Sequence, residues 1–215
     1  GTLTLTSGAA IGGSGGSQGL DIDAGTLAIT GTGSGNVTIT EASSLVLGAT
    51  TVGGTFTGTA TTGDITDSGA LAITGAATFI TGATGSNIIL DHASNAFSNS
   101  VELKADSGGN EAFGNITFVD SAAVDFDSSA SANGDLFING STDGAVGGNL
   151  NVTATTGNIT QNVALAVSGT TTLTTSANDA TITLGTDSNA FTGAITITTN
   201  DASGTDADVT IDGGT

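Results

Sequence analysis

Few groups in this chain are able to do chemistry. Its 215 residues include one His, one Lys, no Arg, no Cys and no Tyr, set against 20 Asp and Glu. Acid–base or nucleophilic catalysis needs several convergent groups with tuned pKa values, and His92 and Lys104 each stand alone in the chain. His92 falls in ILDHASN, at an expected corner after a strand, and reads as a solvated loop histidine. Lys104 and Glu102 share the outward face of one strand and read as a weak exposed ion pair. Carboxylates are the remaining resource, and the ion they suit is calcium, which takes hard oxygen ligands. Asp125 and Asp127 should both point outward because Val124 and Phe126 point inward, and Asp21 with Asp23 repeats the arrangement. Asp206, Asp208 and Asp212 gather near the C-terminal end. These residues are the candidate calcium ligands. None lies in the calcium-binding nonapeptide GGxGxDxUx, and GGSGGS at residues 12–17 lacks the Asp that motif needs. Diffuse surface charge is therefore the competing reading.

The same inventory excludes whole classes. One lysine against a net charge of −19 cannot neutralise phosphates, so nucleic acid and anionic membranes are poor partners. Without Cys there is no disulfide framework and no thiolate metal site. A polysaccharide-active enzyme working on acidic sugars would need basic residues that are missing. Apolar runs stop at five residues, VALAV at 163–167, far short of the roughly 20 of a membrane-spanning helix. Disorder is countered by 16 Ile, 14 Leu, 11 Val and 8 Phe, about 23% of the chain, above the roughly 20% below which disorder is favoured.

Those apolar residues must build the elements that carry the carboxylates. They recur in pairs two apart: Leu27 and Ile29, Val37 and Ile39, Leu45 and Leu47, Leu71 and Ile73, Val101 and Leu103. The pattern continues through Ile116 and Phe118, Val124 and Phe126, Leu136 and Ile138, Leu150 and Val152, to Ile195 and Ile197 and to Val209 and Ile211. Side chains alternate across a strand, so each pair faces one side and the small or polar residue between faces the other. Helical periodicity is absent. The chain reads as all-β, with Gly-Asn and Gly-Asp steps at 35–36, 63–64, 114–115, 134–135 and 157–158 supplying positive-φ or Asx-turn corners.

The chain also repeats itself. Residues 52–75 match residues 146–169 at 14 of 24 positions without a gap, and SNAF at 94–97 returns at 188–191 with the same offset of 94. GNVTITEASSLVL at 35–47 resembles GNITFVDSAAVDF at 114–126 with an offset of 79. The first copy therefore lacks a stretch of the second as long as the difference between the two offsets, expected as a loop or a lost coil face. Corner steps divide the chain at Asp64, Asn87, Asn115, Asp135 and Asn158. Segments of that length fit coils of a parallel β-solenoid, roughly nine in all at about 4.8 Å each. The expectation is one continuous solenoid over 1–215, with copies at about 52–145 and 146–215 preceded by 1–51. A β-sandwich is the competing architecture, disfavoured by the repeat and by the absence of Pro.

Tracts such as GDITDSGALAITGAATF, GNITQNVALAVSGTTTL and ITLGTDSNAFTGAITI resemble the repeats of filamentous-haemagglutinin-like giant bacterial adhesins, many of them two-partner-secretion exoproteins. The resemblance covers nearly the whole chain and rests on repeat style. It implies a right-handed parallel β-helix, extracellular or on the cell surface, serving as stalk or fibre. The leading expectation is a non-enzymatic rod segment acting by self-association or by adhesion to host or cell-surface glycans and proteins. The GGT end without a polar cap is expected to belong to an internal stretch or to a stacking protomer. The alternatives are an acidic module holding calcium or glycans, a polysaccharide-active enzyme, and an ice-binding solenoid. The ice-binding idea draws on Thr-x-Thr strands at Thr38 and Thr40, Thr181 and Thr183, and Thr196 and Thr198, although outward residues that vary from coil to coil argue against a regular lattice. Asn-x-Thr or Asn-x-Ser at Asn36, Asn115, Asn139, Asn151 and Asn158 specifies little in a Thr-rich chain.

Overall fold

Alternation in sequence becomes strand and nothing else. The computed structural model describes residues 1–12, 19–31, 33–105, 113–129, 131–132, 134–139, 144–185, 188–200, 202 and 207–213, and these hold 24 strands and no helix. Strands pair in parallel with strands of the neighbouring coils, as Thr2–Ser7 does with Thr26–Gly31 and Leu150–Ala154 with Thr171–Asn178. The 11-stranded sheet runs through nine successive rungs from Thr2–Ser7 to Ile195–Asn200, beside a 10-stranded and a 3-stranded sheet. This is a parallel β-solenoid, with nine rungs among the described residues.

Each regular coil visits three faces. In the first half of the chain Ile65–Asp67 and Leu71–Ile73 lie on two faces of the 11-stranded sheet and Ala77–Thr81 lies in the 10-stranded sheet. Their partners at an offset of 94 are Ile159–Gln161, Ala166–Val167 and Thr171–Asn178, which lie in the 10-stranded, 3-stranded and 11-stranded sheets. Equivalent strands of the two copies therefore occupy different faces. The shift occurs between Val101–Ala105 and Ile116–Asp120: the chain passes directly to the next face, and Ile116 stacks in register on Ile88 instead of on Val101.

The stretch by which the two offsets differ forms part of a strand insertion at this seam. Asp135–Asn139 lies between Val101–Ala105 and Val124–Asp127 in the 10-stranded sheet, out of chain order. Thus the Gly134-Asp135 step does not mark a coil corner; it opens an extra strand, with Gly134 at φ +90°.

Paired apolar residues fill the interior as the alternation requires. Leu27, Ile29, Val37, Ile39, Leu71, Ile73, Val101 and Leu103 are all buried, as are Ile182 and Leu184. Ile195 and Val209 keep 37% and 44% of their surface because, among the described residues, their strands pair on one side only. Four rings run through successive coils. Phe56 lies 5.4 Å from Phe79, Phe79 lies 6.1 Å edge-on from Phe97, and Phe97 stacks at 5.3 Å on Phe118, carrying the contact across the seam. Inward-facing Gly58 makes room for this column: it sits opposite Phe79 in the register, and a Cβ there would collide with the Phe56 ring and Leu45.

Glycine at the other corners acts by closeness. Of the five expected Gly-Asx corners only Gly134 has a positive φ. Gly54, Gly75, Gly114, Gly148, Gly169 and Gly193 each bring an α-carbon against the carbonyl of a residue one coil away, where a Cβ would overlap it. The coil spacing, rather than the turn conformation, excludes a side chain there.

Candidate functional site

The Asx residues of these corners hydrogen-bond from coil to coil. Asp64 accepts from the Asn87 N–H at 2.8 Å, Asn87 from the Asn115 N–H at 2.6 Å, Asn115 from the Asn149 N–H at 2.9 Å, and Asn149 from the Thr170 N–H at 2.8 Å. Asn36 and Asn158 do the same for Thr55 and Thr181. Three of the five Asn-x-Thr or Asn-x-Ser asparagines, at 36, 115 and 158, are thus structural acceptors, and Asn139 donates to Glu102 at 2.7 Å. Asn151 has an exposed side chain on its strand.

Asp125 and Asp127 come together as their spacing requires, and a third carboxylate joins them. Asp135 arrives on the inserted strand opposite Asp125, and ligand-type oxygens of the three lie within 4.8 Å of one another. The alternation rule could not find Asp135, because it is only 6% exposed at the first position of a strand whose register neighbour is set by the insertion. Its carboxylate accepts the N–H groups of Ser131 and Ala132. Asp125 accepts from the Thr160 hydroxyl at 2.9 Å and the Asn162 amide at 2.8 Å, and Asp127 accepts from Asn162 at 3.2 Å and the Ser129 N–H at 3.2 Å. Partial burial pushes the Asp125 carboxyl above the ordinary range; the Thr160 and Asn162 bonds oppose this, while the charges of Asp127 and Asp135 add to it. Three carboxylates on adjoining strands are donors of the kind calcium takes, but here both oxygens of Asp125 and of Asp127 already accept from neutral groups.

Replacing Asp135 with Asn keeps an acceptor for Ser131 and Ala132 and removes one of the mutually repelling charges. Like charges opposite one another cost roughly 0.2–1 kcal/mol, so Asp135→Asn should melt higher than the parent at pH 7, and an NMR titration should show the Asp125 carboxyl moving back toward its ordinary value.

Among the described residues the other candidate carboxylates do not converge. Asp21 and Asp23 are exposed, and Asp21 lines a shallow 340 Å³ depression with Ile22, Thr40, Ala42 and Thr61. Asp208 and Asp212 are exposed at the last described strand, and Asp206 lies outside the described residues, as do residues 13–17 of the GGSGGS tract. Glu102 does not turn to Lys104: its oxygens accept from Asn139 and, at 3.4 Å, from Thr78. His92 is half-buried after its strand, its Nδ1 accepting the Ser94 N–H at 3.2 Å and its own N–H donating to Asp67.

Two carboxylates continue the inward alternation of their strands. Glu41 and Asp120, equivalent at the offset of 79, are 0% and 3% exposed at strand ends. Glu41 accepts from the Ala24 N–H at 3.0 Å and Asp120 from the Phe97 N–H at 3.1 Å, each a coil away. A backbone N–H without a partner in the strand ladder needs an acceptor, and the neighbouring coil supplies it.

Threonine columns are more regular than the sequence suggests. Thr38, Thr57 and Thr78 align in the 10-stranded sheet and Thr153, Thr174 and Thr198 in the 11-stranded sheet. The first column ends at Glu102, which follows Thr78 in the register. The second lies on another sheet because of the seam, so the two do not form one flat array.

No curated protein and no solved structure matches this chain. A family model described as repeats of unknown function, DUF5649, matches twice, at residues 34–104 and 113–198. The starts of the two matches are offset by 79 and their ends by 94, which brackets the same insertion that carries Asp135. Together they take in well over half of the sequence, and the chain belongs to the DUF5649 repeat family.

Proposed function

We propose that this chain is a non-enzymatic structural segment, a length of rod in an extracellular surface adhesin or fibre. The observation that carries the reading is the coil-to-coil continuity of its stabilising contacts. The Asx ladder, the stacked glycines and the Phe column each join a coil to its neighbour through contacts that recur along the axis. Such a structure grows by adding units, as solenoids do. The likeness of its repeat style to filamentous-haemagglutinin-like adhesins supports the cell-surface setting, and the net charge of −19 favours solubility of an edge-rich rod.

Growth by units has a measurable form. One repeat unit spans three coils and one face, so a second tandem copy of 52–145 should lengthen the particle by about 16 Å at about 4.8 Å per coil. Small-angle scattering should show this at an unchanged cross-section; a thicker particle of unchanged length would overturn the rod. Antibodies to the segment should label intact producing cells, and label seen only after permeabilisation would overturn the surface setting. Calcium titration should give no saturable stabilisation; a saturable rise in melting temperature would favour a cation-holding module instead.

A further inference from the structure

Asn95 and Asn189 occupy the same place in the two copies, in the two SNAF tracts at the offset of 94. Both are buried. Asn95 Oδ1 accepts the Leu71 N–H at 2.9 Å, and Asn189 Oδ1 accepts the Leu165 N–H at 2.9 Å. The residue facing the asparagine differs. In the second copy it is Gln161, and the two amides bond reciprocally, Gln161 Nε2 to Asn189 Oδ1 at 2.8 Å and Asn189 Nδ2 to Gln161 Oε1 at 2.9 Å. In the first copy it is Asp67, whose Oδ2 accepts from Asn95 Nδ2 at 2.6 Å. One coil further on, the Ser121 N–H donates to the Asn95 carbonyl at 3.0 Å, and buried Asp120 accepts the Phe97 N–H.

The corner around Asn95 thus has two carboxylates where it is held together, Asp67 against the asparagine and Asp120 one coil further on. We propose that the Asp67–Asn95–Asp120 corner is a proton-responsive clasp, tightening the first copy in mild acid while the amide-built corner of the second copy does not respond.

The geometry supplies the reason. Asp67 takes bonds from Asn95 and from the N–H groups of Asp91 and His92, and Asp120 from those of Phe97 and Ala122. All these donors are neutral. Among the described residues Asp91 and His92 are the ionisable residues that face Asp67, and Asp91 adds repulsion; Asp120 faces Phe97, Ser121 and Ala122, none of them ionisable, and at the second corner Asp212 meets Asn189 through its backbone carbonyl. Burial pushes both carboxyls above the ordinary range, outweighing the hydrogen bonds that favour the charged form. A carboxyl whose folded pKa is raised contributes stability that is fully present below its unfolded pKa, about 3.9, and is lost as pH rises through the folded value. A proton on Asp67 Oδ1 gives up the Asp91 N–H bond and leaves Oδ2 to accept from Asn95 and His92, and a proton on Asp120 Oδ2 leaves Oδ1 to accept from Phe97 and Ala122.

Hydrogen exchange on the intact chain tests this with an internal control. The protection of the Leu71 amide relative to the equivalent Leu165 amide should rise severalfold between pH 7 and pH 4.5, the pH dependence of intrinsic exchange cancelling in the ratio. Asp67→Gln with Asp120→Asn should flatten the response, and Gln161→Asp should install one at Leu165. His92→Gln should leave the response in place, because the clasp resides in the carboxylates. Equal responses at Leu71 and Leu165 in the parent chain, or a response that survives the double replacement, would overturn the proposal. The result bears on the corner alone and leaves the rod reading to its own tests.

Discussion

Gly148→Ala should be among the most damaging single substitutions in this protein. A Cβ on residue 148 would overlap the Gly114 carbonyl oxygen, with the carbonyl carbon and the Asn115 side chain also in its way. The obstacle is backbone, which cannot rotate aside as a side chain could. Relief requires the coils carrying Gly114 and Gly148 to separate, and that loosens the bond from the Asn149 N–H to Asn115 Oδ1. Overpacking of this kind costs about 3 kcal/mol. With roughly 2–4 °C per kcal/mol for a chain of this size, the melting temperature should fall by about 6–12 °C. Gly185→Ala is the control: nothing lies within 4 Å of a Cβ there, and its melting temperature should stay close to that of the parent.

Asn189→Ala should be comparably costly for the opposite reason, since it removes partners instead of adding atoms. The Leu165 N–H loses its side-chain acceptor, the Gln161 amide loses its reciprocal bond, and the Asp212 carbonyl loses a donor at 2.8 Å. A buried polar group left without a partner costs about 1–3 kcal/mol, so about 3 kcal/mol is expected for the set. Asn95→Ala should behave similarly, because Leu71 and Asp67 lose the equivalent bonds. Chemical denaturation of the two variants checks this: both midpoints should drop, and a loss confined to one copy would show that the equivalence is one of sequence alone.

Why some of this was legible and some was not follows from what each signal measures. Alternation at Val101-Glu102-Leu103 reports which side of a strand is buried, and it placed the core and the outward direction of Asp125 and Asp127 correctly. The offsets located the insertion between the two matching tracts that flank it. Alternation is blind to what lies above and below in the stack, so Asp135 opposite Asp125 and the Phe97–Phe118 contact did not emerge from it. Turn chemistry in turn misread a corner: Gly114 reads as a conformational residue but is a spacer between coils. Direct repetition of SNAF was the one available clue to the buried asparagines, because a polar residue kept with the same neighbours at the same offset marks a place where the interior needs a hydrogen bond.

The seam reaches beyond the coils it joins. If every repeat unit advances the chain by three coils and one face of three, a surface feature on one unit points to a new compass direction on the next and returns only after three units and ten coils. That is a recurrence of about 48 Å along the axis. An array built this way is threaded like a screw: its threonine columns meet a flat partner at intervals along one side, while the intervening ones face partners elsewhere around the shaft. Contacts distributed in this manner suit cross-linking of many small sites better than laying one long side against a single surface.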